Sequence, residues 1–146
     1  MTHIHKIFVT NNFRKTQELG RILALEIKKS TIICLEGNLG SGKTTFTQGF
    51  LKGLEMKGPY TSPTFVIIKE YKKQKTRKDK QNVYHIDAYR VKSEDILNLG
   101  WEEMIAEKNN IIIIEWADRI KKIIPRGALW IKFDWMDQNK RKITFK

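Results

Sequence analysis

The sequence has little of the chemistry that cross-links a protein or anchors it in a membrane. Its only cysteine, Cys34, excludes an internal disulfide framework and suits a reducing compartment. Because Cys34 lies in the apolar run from Thr31 to Leu35, we expect a small buried hydrophobic residue. No stretch approaches the roughly 18 apolar residues of a membrane span, and the N-terminal residues lack the apolar run of a signal peptide. We therefore expect a cytoplasmic protein without membrane contact.

Acidic residues are scarce as well. Only 16 Asp and Glu residues stand against 28 Lys and Arg residues in a chain of 146, so the formal net charge is +12. Such a field attracts polyanions, including nucleic acids, nucleotides and acidic protein surfaces. A general compositional bias towards lysine would produce the same charge without a function. Internal repeats and linkers rich in Pro, Gly or Ser are also missing, so we expect a single domain over residues 1–146.

Hydrophobic periodicity predicts alternating helices and strands. Apolar residues at helical spacing predict a helix from Asn12 to Lys29, and a second helix over Gly42–Leu54 ends before Gly58-Pro59. The other predicted elements are a strand Thr31–Glu36, a hairpin of Thr64–Tyr71 and Asn82–Asp87, a helix capped by Ser93 and ending at Leu99, a short helix near Trp101–Glu107, a buried central strand Ile111–Ile114, and a hairpin of Leu129–Phe133 and Lys142–Phe145 that turns at Asp137–Lys140. This alternation is typical of an α/β fold with a largely parallel central sheet, flanked by helices and extended by antiparallel hairpins.

One motif predicts a nucleotide site. Residues Gly37 to Thr44 match the phosphate-binding loop pattern G-x-x-x-x-G-K-[ST] at every fixed position, between a predicted strand and a predicted helix. Glycines let successive backbone N–H groups face a phosphate chain, and the helix adds its positive N-terminal end. Lys43 can reach the outer phosphates, and the Thr44 hydroxyl can bind Mg²⁺. The sequence therefore predicts a P-loop NTPase-like domain.

Two acidic residues end strands beside this loop. Asp87 ends one predicted strand and Glu115 follows the four-isoleucine strand, so either carboxylate can orient magnesium or activate water. His85 alternates with Asp87 on the same strand face, where a packing role is the ordinary interpretation. The guanine-selective motif Asn-Lys-x-Asp is missing, because Asn139 to Lys142 lacks the final Asp. ATP is therefore favoured over GTP.

These residues resemble the TsaE family, formerly YjeE, whose members are small ATPases needed to make threonylcarbamoyladenosine beside the anticodon of tRNA. The similarity covers nearly the whole chain. Its motifs are Gly37 to Phe46, Ser62 to Phe65, His85 to Arg90, Leu99-Gly100 and Ile114 to Trp116.

The resemblance implies roles for these positions. Lys43 would hold phosphates, Thr44 and Glu115 would hold Mg²⁺, and Asp87 would join the metal shell or position water. Residues 62–65 would act as a switch near the γ-phosphate, and residues 10–12 would contact the base. The residues expected to contact ATP are Asn11, Gly37, Asn38, Leu39, Gly40, Ser41, Gly42, Lys43, Thr44, Thr45 and Trp116.

The implied function is hydrolysis of Mg-ATP in support of a tRNA-modifying complex, slow alone and stimulated by partners similar to TsaD and TsaB. Two alternatives stay open: a small-molecule or nucleotide kinase, and a nucleotide-dependent binding module. A kinase needs a lid that carries several arginines, and no such arginine cluster occurs between the predicted helices. The basic hairpin tip Lys72–Lys80 either contacts tRNA or is a solvated loop.

Overall fold

A single seven-stranded sheet organises the protein. The computed structural model describes residues 5–27, 30–63, 65–73 and 81–146. In sheet order the strands are β1 (Lys6–Thr10), β7 (Arg141–Phe145), β6 (Leu129–Trp135), β2 (Thr31–Glu36), β5 (Asn110–Glu115), β4 (Gln81–Asp87) and β3 (Ile68–Lys73). The four inner strands β6, β2, β5 and β4 run parallel. The remaining pairs, β1 with β7, β6 with β7 and β3 with β4, are antiparallel. The predicted fold class, a largely parallel sheet extended by antiparallel hairpins, is confirmed.

The elements follow one another in a regular order along the chain. Their bounds are β1 Lys6–Thr10, α1 Phe13–Glu26, β2 Thr31–Glu36, α2 Lys43–Gly53, β3 Ile68–Lys73, β4 Gln81–Asp87, α3 Ser93–Leu97, α4 Trp101–Ala106, β5 Asn110–Glu115, a 3-10 helix Ala117–Ile123, β6 Leu129–Trp135 and β7 Arg141–Phe145. None of the helices in the described ranges is long and apolar enough to cross a membrane.

The isoleucine strand lies where its composition predicts. All six residues of β5 are buried, between β2 and β4 in the sheet. A strand covered on both faces needs apolar side chains at every position, which four consecutive isoleucines supply. Cys34 on β2 is buried too, as predicted, and burial raises the pKa of its thiol to about 12, with a contribution from the Glu36 carboxylate.

Helices α1 and α2 cover one face of the sheet and approach each other closely. A Cβ atom at Gly49 would lie 1.9 Å from the carbonyl oxygen of Gln17, and one at Gly20 would lie 2.2 Å from the carbonyl oxygen of Phe46. Glycine is therefore required at both positions. This contact holds the N-terminal end of α2 beside that of α1, so both face the same end of the sheet.

The opposite face is covered by α3, α4 and the 3-10 helix. Ile86, Ile112 and Ile114 point to this side and pack with Trp101 and Ile120. The indole N–H of Trp101 donates to the carbonyl oxygen of Ile123 at 3.1 Å, which ties α4 to the 3-10 helix. The sheet therefore has an apolar cluster on each face.

Several predicted boundaries were wrong. The third strand begins at Ile68 and not at Thr64, because the Ile67 N–H donates to the carbonyl oxygen of Pro63 at 2.7 Å and Ile67 has φ of 68°. A turn with left-handed backbone cannot continue a strand. Ser93 is not a cap: Lys92 occupies the N-cap position, its N–H donates to Asp95 Oδ2 at 2.8 Å, and the helix ends at Leu97.

Other differences concern edges and gaps. The predicted first helix was too long, because Ile27 is already extended and the described helix ends at Glu26; residues 28–29 lie outside the described residues. Thr64 and most of the basic tip, residues 74–80, lie outside them as well. Strand β1 and the 3-10 helix were not predicted. Every β1 residue before Thr10 is exposed, so its sequence carries no alternating pattern.

Candidate functional site: a phosphate-loop cavity at the sheet edge

The loop between β2 and α2 has the backbone that its glycines predict. Gly37 has φ of 148° and Gly42 has φ of 104°, both in a region that side chains disfavour. A Cβ atom at Gly37 would also lie 2.4 Å from the carbonyl oxygen of Phe133 on β6. Glycine at position 37 is therefore needed both for the turn and for the close approach of the neighbouring strand.

Lys43, the first residue of α2, folds back across this loop. Its ammonium donates to the carbonyl oxygen of Asn38 at 2.9 Å and to that of Gly37, and it lies 4.1 Å from the centre of the Trp116 ring. Burial lowers the pKa of the Lys43 ammonium from its usual value, and the carboxylates of Glu115, Asp118 and Asp87 act against that shift. Burial of a charged ammonium costs free energy, and an anionic partner such as a phosphate would offset that cost.

Thr44 and Glu115 meet at the N-terminal end of α2. The Thr44 hydroxyl donates to Glu115 Oε1 at 2.7 Å, and the carboxylate is 3% exposed. Parallel pairing of β2 with β5 carries Glu115 to the same sheet edge as the loop. The hydroxyl and the acid of the predicted metal pair are thus already in contact.

Asp87 lies next to Glu115 across the β4–β5 ladder, where the two residues are paired in register. Its Oδ1 accepts the backbone N–H of Tyr89 at 2.9 Å, and its Oδ2 accepts the Ser62 hydroxyl at 3.3 Å. The second contact joins the acid to the predicted switch segment. The same edge of the sheet therefore holds both acids, at the ends of β4 and β5, and Ser62 of the switch segment contacts Asp87.

Aromatic and cationic side chains form a stack beside Lys43. The rings of Trp116 and Tyr89 lie 4.9 Å apart, and the Arg119 guanidinium lies 5.0 Å from the Tyr89 ring and 5.5 Å from the Trp116 ring. Trp116 itself has φ of 59°, so the chain turns sharply after Glu115. Lys43 and Arg119 thus both lie beside the Trp116 ring.

Lys43, Thr44, Asp87, Glu115 and Trp116 line one cavity of about 750 Å³, a size typical of small-molecule sites. From the predicted site it takes residues 39–45, Ser62, Asp87, Glu115 and Trp116. Gly37 and Asn38 lie outside the lining and contribute their carbonyl groups to Lys43. Asn11 is exposed and does not line the cavity, whereas its neighbour Asn12 does and also caps α1.

Several lining residues were missed in the sequence. They are Phe13, Thr16, Tyr89, Arg90, Gln138, Asn139 and Arg141, whereas Asn12 belongs to the segment 10–12 that was expected to contact the base. Arg141 Nε donates to the Gly40 carbonyl oxygen at 3.0 Å, so the turn after β6 is attached to the phosphate loop. No local pattern marks these positions, because they come together only through the placement of β6 beside β2 and the packing of α1.

The oxygen donors at this edge suit a hard cation that takes its other ligands from water or substrate. Within residues 5–27, 30–63, 65–73 and 81–146, no three His, Cys, Asp or Glu side chains converge as a closed metal site. Mg²⁺ usually takes one or two protein oxygens and completes its shell with water and phosphate oxygens. The hydroxyl of Thr44 and the carboxylates of Glu115 and Asp87 match that preference.

Comparison with known proteins identifies relatives over nearly the whole chain. The sequence model of the family described as "Threonylcarbamoyl adenosine biosynthesis protein TsaE" matches residues 10–143. A protein of Bacillus subtilis named tRNA threonylcarbamoyladenosine biosynthesis protein TsaE is 36% identical over 136 residues, covering 93% of this chain and 82% of the relative. A protein of the same name from Aquifex aeolicus is 38% identical, covering 88% of this chain and 86% of the relative.

A solved structure supports the same comparison. The crystal structure of Bacillus subtilis YdiB superposes with a TM-score of 0.78 at 32% sequence identity, covering 99% of this chain and 87% of that chain. The similarity therefore includes the arrangement of the sheet and its helices as well as the sequence motifs.

Proposed function

The chain belongs to the TsaE family of threonylcarbamoyladenosine biosynthesis proteins, and from that membership we propose that it binds and hydrolyses Mg-ATP to support a tRNA-modifying complex. The product of that complex would be N6-threonylcarbamoyladenosine next to the anticodon. The observation that carries the proposal is the contact between Thr44 and Glu115 at the end of a glycine-rich phosphate loop. A cytoplasmic location fits this role.

The phosphates would lie over the N-terminal end of α2. Backbone N–H groups of the loop and the positive end of the helix favour a chain of negative charges there. Lys43, whose ammonium is buried beside carbonyl oxygens, gains a stronger acceptor when a phosphate oxygen replaces a carbonyl. Charge of the opposite sign also removes the burial penalty that lowers its pKa.

Magnesium would be held by oxygen ligands from this chain. Thr44 is placed to ligate it directly, Glu115 to orient Thr44 and the metal's water, and Asp87 to complete the acidic edge. Bound there, the metal would neutralise charge on the phosphates. The residues of this edge fit that group, since hydroxyl and carboxylate oxygens are the donors it prefers.

Hydrolysis requires an oriented water. Water oxygen bonds to the γ-phosphorus, and the bond to the bridging oxygen of ADP breaks. Asp87, held by the Tyr89 N–H and the Ser62 hydroxyl, is placed to accept a hydrogen bond from that water. Because Ser62 belongs to the switch segment, the position of this segment would depend on what occupies the γ-phosphate site.

The part of the cavity lined by the start of α1 and the turn between β6 and β7 is suited to a nucleoside. Phe13, with 62% of its surface exposed, supplies an apolar face, and the amides of Asn12, Gln138 and Asn139 supply donors and acceptors. The guanine-selective Asp is missing from the turn after Asn139, which favours adenine. We place the base here, and not at Asn11.

Single-turnover hydrolysis of labelled ATP tests the proposal. With and without proteins similar to TsaD and TsaB, the chain should release labelled phosphate into water, faster in their presence. Label transferred to an acceptor other than water would favour a kinase, and binding without turnover in either condition would favour a binding module. Depleting the protein from cells should lower the modified base content of tRNA.

A further inference from the structure

His85 is buried beside Glu115, one of the residues proposed to hold magnesium, and its contacts indicate more than a packing role. It lies on β4 two residues before Asp87, and its side chain is 2% exposed. Its Nε2 lies 2.5 Å from Glu115 Oε2. Its Nδ1 is buried with no hydrogen-bond partner among the residues that the structure describes. A residue kept only for packing would not need this costly polar atom.

The contact assigns the hydrogen-bonding role of the imidazole. Since the carboxylate of Glu115 is an acceptor, the proton of a neutral His85 lies on Nε2, and Nδ1 keeps its lone pair. Glu115 then accepts two hydrogen bonds, from His85 at Oε2 and from the Thr44 hydroxyl at Oε1. These two hydrogen bonds restrict the rotation of the buried carboxylate and replace the hydrogen bonds to water that it loses on burial.

Three elements are joined by this chain of contacts. Thr44 begins α2, Glu115 ends β5 and His85 belongs to β4. The carboxylate can turn about its terminal bond unless both oxygens are held. With Oε2 occupied by His85, Oε1 faces the Thr44 hydroxyl. Residues that orient ligands in this way tune a metal site without touching the metal.

We propose that His85 is a positioning residue that fixes the Glu115 carboxylate against Thr44 and so sets the Mg²⁺ affinity of the nucleotide complex. This inference rests on the proposed function, because magnesium binding by Thr44 and Glu115 is itself part of that proposal. His85 does not touch nucleotide or metal. Its removal should therefore leave the binding of metal-free nucleotide unchanged.

Two substitutions separate positioning from packing. His85→Gln keeps an N–H donor that can reach Glu115, whereas His85→Leu keeps an apolar volume and removes the donor. Calorimetry measures ATP affinity in EDTA and along a Mg²⁺ titration. We expect His85→Leu to raise the Mg²⁺ concentration at half-saturation by roughly 10–100-fold, and His85→Gln to restore most of it.

A double-mutant cycle with Glu115→Gln completes the test and also serves if His85→Leu alone folds poorly. If His85 acts through Glu115, changing His85 to Gln or Leu in the Glu115→Gln background should alter the Mg²⁺ titration by no more than about twofold.

The outcomes are distinct. Equal losses in EDTA and in Mg²⁺, or full additivity in the cycle, would overturn the positioning role and leave the ATPase proposal standing. A wild-type chain that binds no ATP, or binds it without any Mg²⁺ dependence, would overturn the proposed function itself.

Discussion

At the scale of single residues, the most informative side chain is Lys43. Its ammonium is held by carbonyl oxygens of the loop, and in the proposed complex it contacts phosphate oxygens. Lys43→Ala deletes at least one charged hydrogen bond, worth about 1.5–3 kcal/mol, so ATP affinity should fall by roughly tenfold or more. Calorimetry measures it, with Lys52→Ala, an exposed lysine of the same helix, as the control.

A Lys43→Ala variant that binds ATP within about twofold of wild type would contradict the assignment of the phosphate loop. The Lys52→Ala control has to match wild type for the comparison to be valid. A loss in both variants would point to a general effect of charge on α2.

Glu115 and Asp87 should matter more for hydrolysis than for binding. Glu115→Gln keeps an oxygen for the Thr44 hydroxyl but removes the charge, and Asp87→Asn does the same beside Ser62. We expect the hydrolysis rate to fall by roughly 10²-fold or more in each, with a smaller change in ATP affinity. Glu102→Gln, at an exposed position on α4, is the control.

Unchanged hydrolysis in both Glu115→Gln and Asp87→Asn would reject the site as drawn. A lower hydrolysis rate in Glu115→Gln alone would support Glu115 as a site residue and exclude Asp87 from the site. The two assays, single-turnover hydrolysis and calorimetric affinity, are run on the same preparations so that a folding defect lowers both.

Site residues that belong to short sequence patterns could be predicted from the sequence. The phosphate loop and the two acids at strand ends each depend on a short pattern, and the structure brings Lys43, Thr44, Asp87 and Glu115 to one cavity. The base end could not be predicted in the same way. The hairpin of β6 and β7 was predicted, but Gln138 and Arg141 reach the cavity because β6 lies beside β2 and Arg141 contacts Gly40, and no local pattern shows that placement.

At the scale of elements, helix α2 is fixed against α1 by glycine. Gly49→Ala places a Cβ atom 1.9 Å from the Gln17 carbonyl oxygen, which the backbones have to move apart to accommodate. Overpacking costs about 1–3 kcal/mol or more, whereas alanine returns about 1 kcal/mol of helix propensity. We therefore expect a net loss of stability, measured by chemical denaturation.

Lys52→Ala is the matched control for Gly49→Ala, since it adds alanine to the same helix at an exposed position. A more stable Gly49→Ala protein would show that propensity outweighs the contact between the helices. Because α2 carries Lys43 and Thr44, a shifted α2 should also weaken ATP binding.

Element types were predicted more accurately than element ends. Periodicity and the isoleucine run identified both large helices and the central strand, since burial imposes those patterns. The start of β3 was missed because the turn at Ile67 depends on a hydrogen bond to Pro63 and on a left-handed β-branched residue. Strand β1 was missed because every side chain before Thr10 is exposed, so the sequence shows no alternation of apolar and polar residues.

At the scale of the whole molecule, the net charge of +12 attracts polyanions, and contact of the basic tip with tRNA is one of the two alternatives that it leaves open. Substituting Lys72, Lys73, Lys75, Arg77, Lys78 and Lys80 with Gln should flatten the salt dependence of tRNA binding, by roughly 0.7–0.9 in log–log slope per lost phosphate contact. Lys72 and Lys73, the part of the tip that the structure describes, have ion pairs with Glu70 and Glu55.

The control for the basic tip changes exposed lysines elsewhere, namely Lys108, Lys122, Lys132 and Lys142. Equal salt slopes for the tip variant and wild type would favour a solvated loop. A slope that falls equally in both variants would show a response to net charge and not to a defined tRNA contact.

Hydrolysis by the isolated protein should be slow. An arginine directed at the γ-phosphate accelerates phosphoryl transfer by roughly 10³–10⁵-fold in well-studied cases. Arg119 lies over the rings of Tyr89 and Trp116 instead, while Arg90 and Arg141 line the cavity and Arg141 is bonded to Gly40 and the turn after β6. Among the described residues, Arg90 is the remaining arginine at the cavity. Its side chain is exposed, and no described contact directs it at the γ-phosphate position.

A partner that docks over the cavity would supply what is missing. Leu39 is 83% exposed, Phe65 is 90% exposed and Val66 is 67% exposed, so the phosphate loop and the switch segment both present apolar side chains to solvent. Such a surface is typical of a protein contact. Covering it would exclude water from the cavity and hold Ser62 against Asp87.

Steady-state ATPase assays should therefore show slow turnover alone and a clear rise with proteins similar to TsaD and TsaB. Phe65→Ser should lower that stimulation, because it removes an apolar contact for the partner. Leu25→Ser, at an exposed position on α1, is the control. Fast turnover by the isolated chain, unchanged by the partners, would instead favour an independent enzyme, since the switch segment would then need no partner to complete the site.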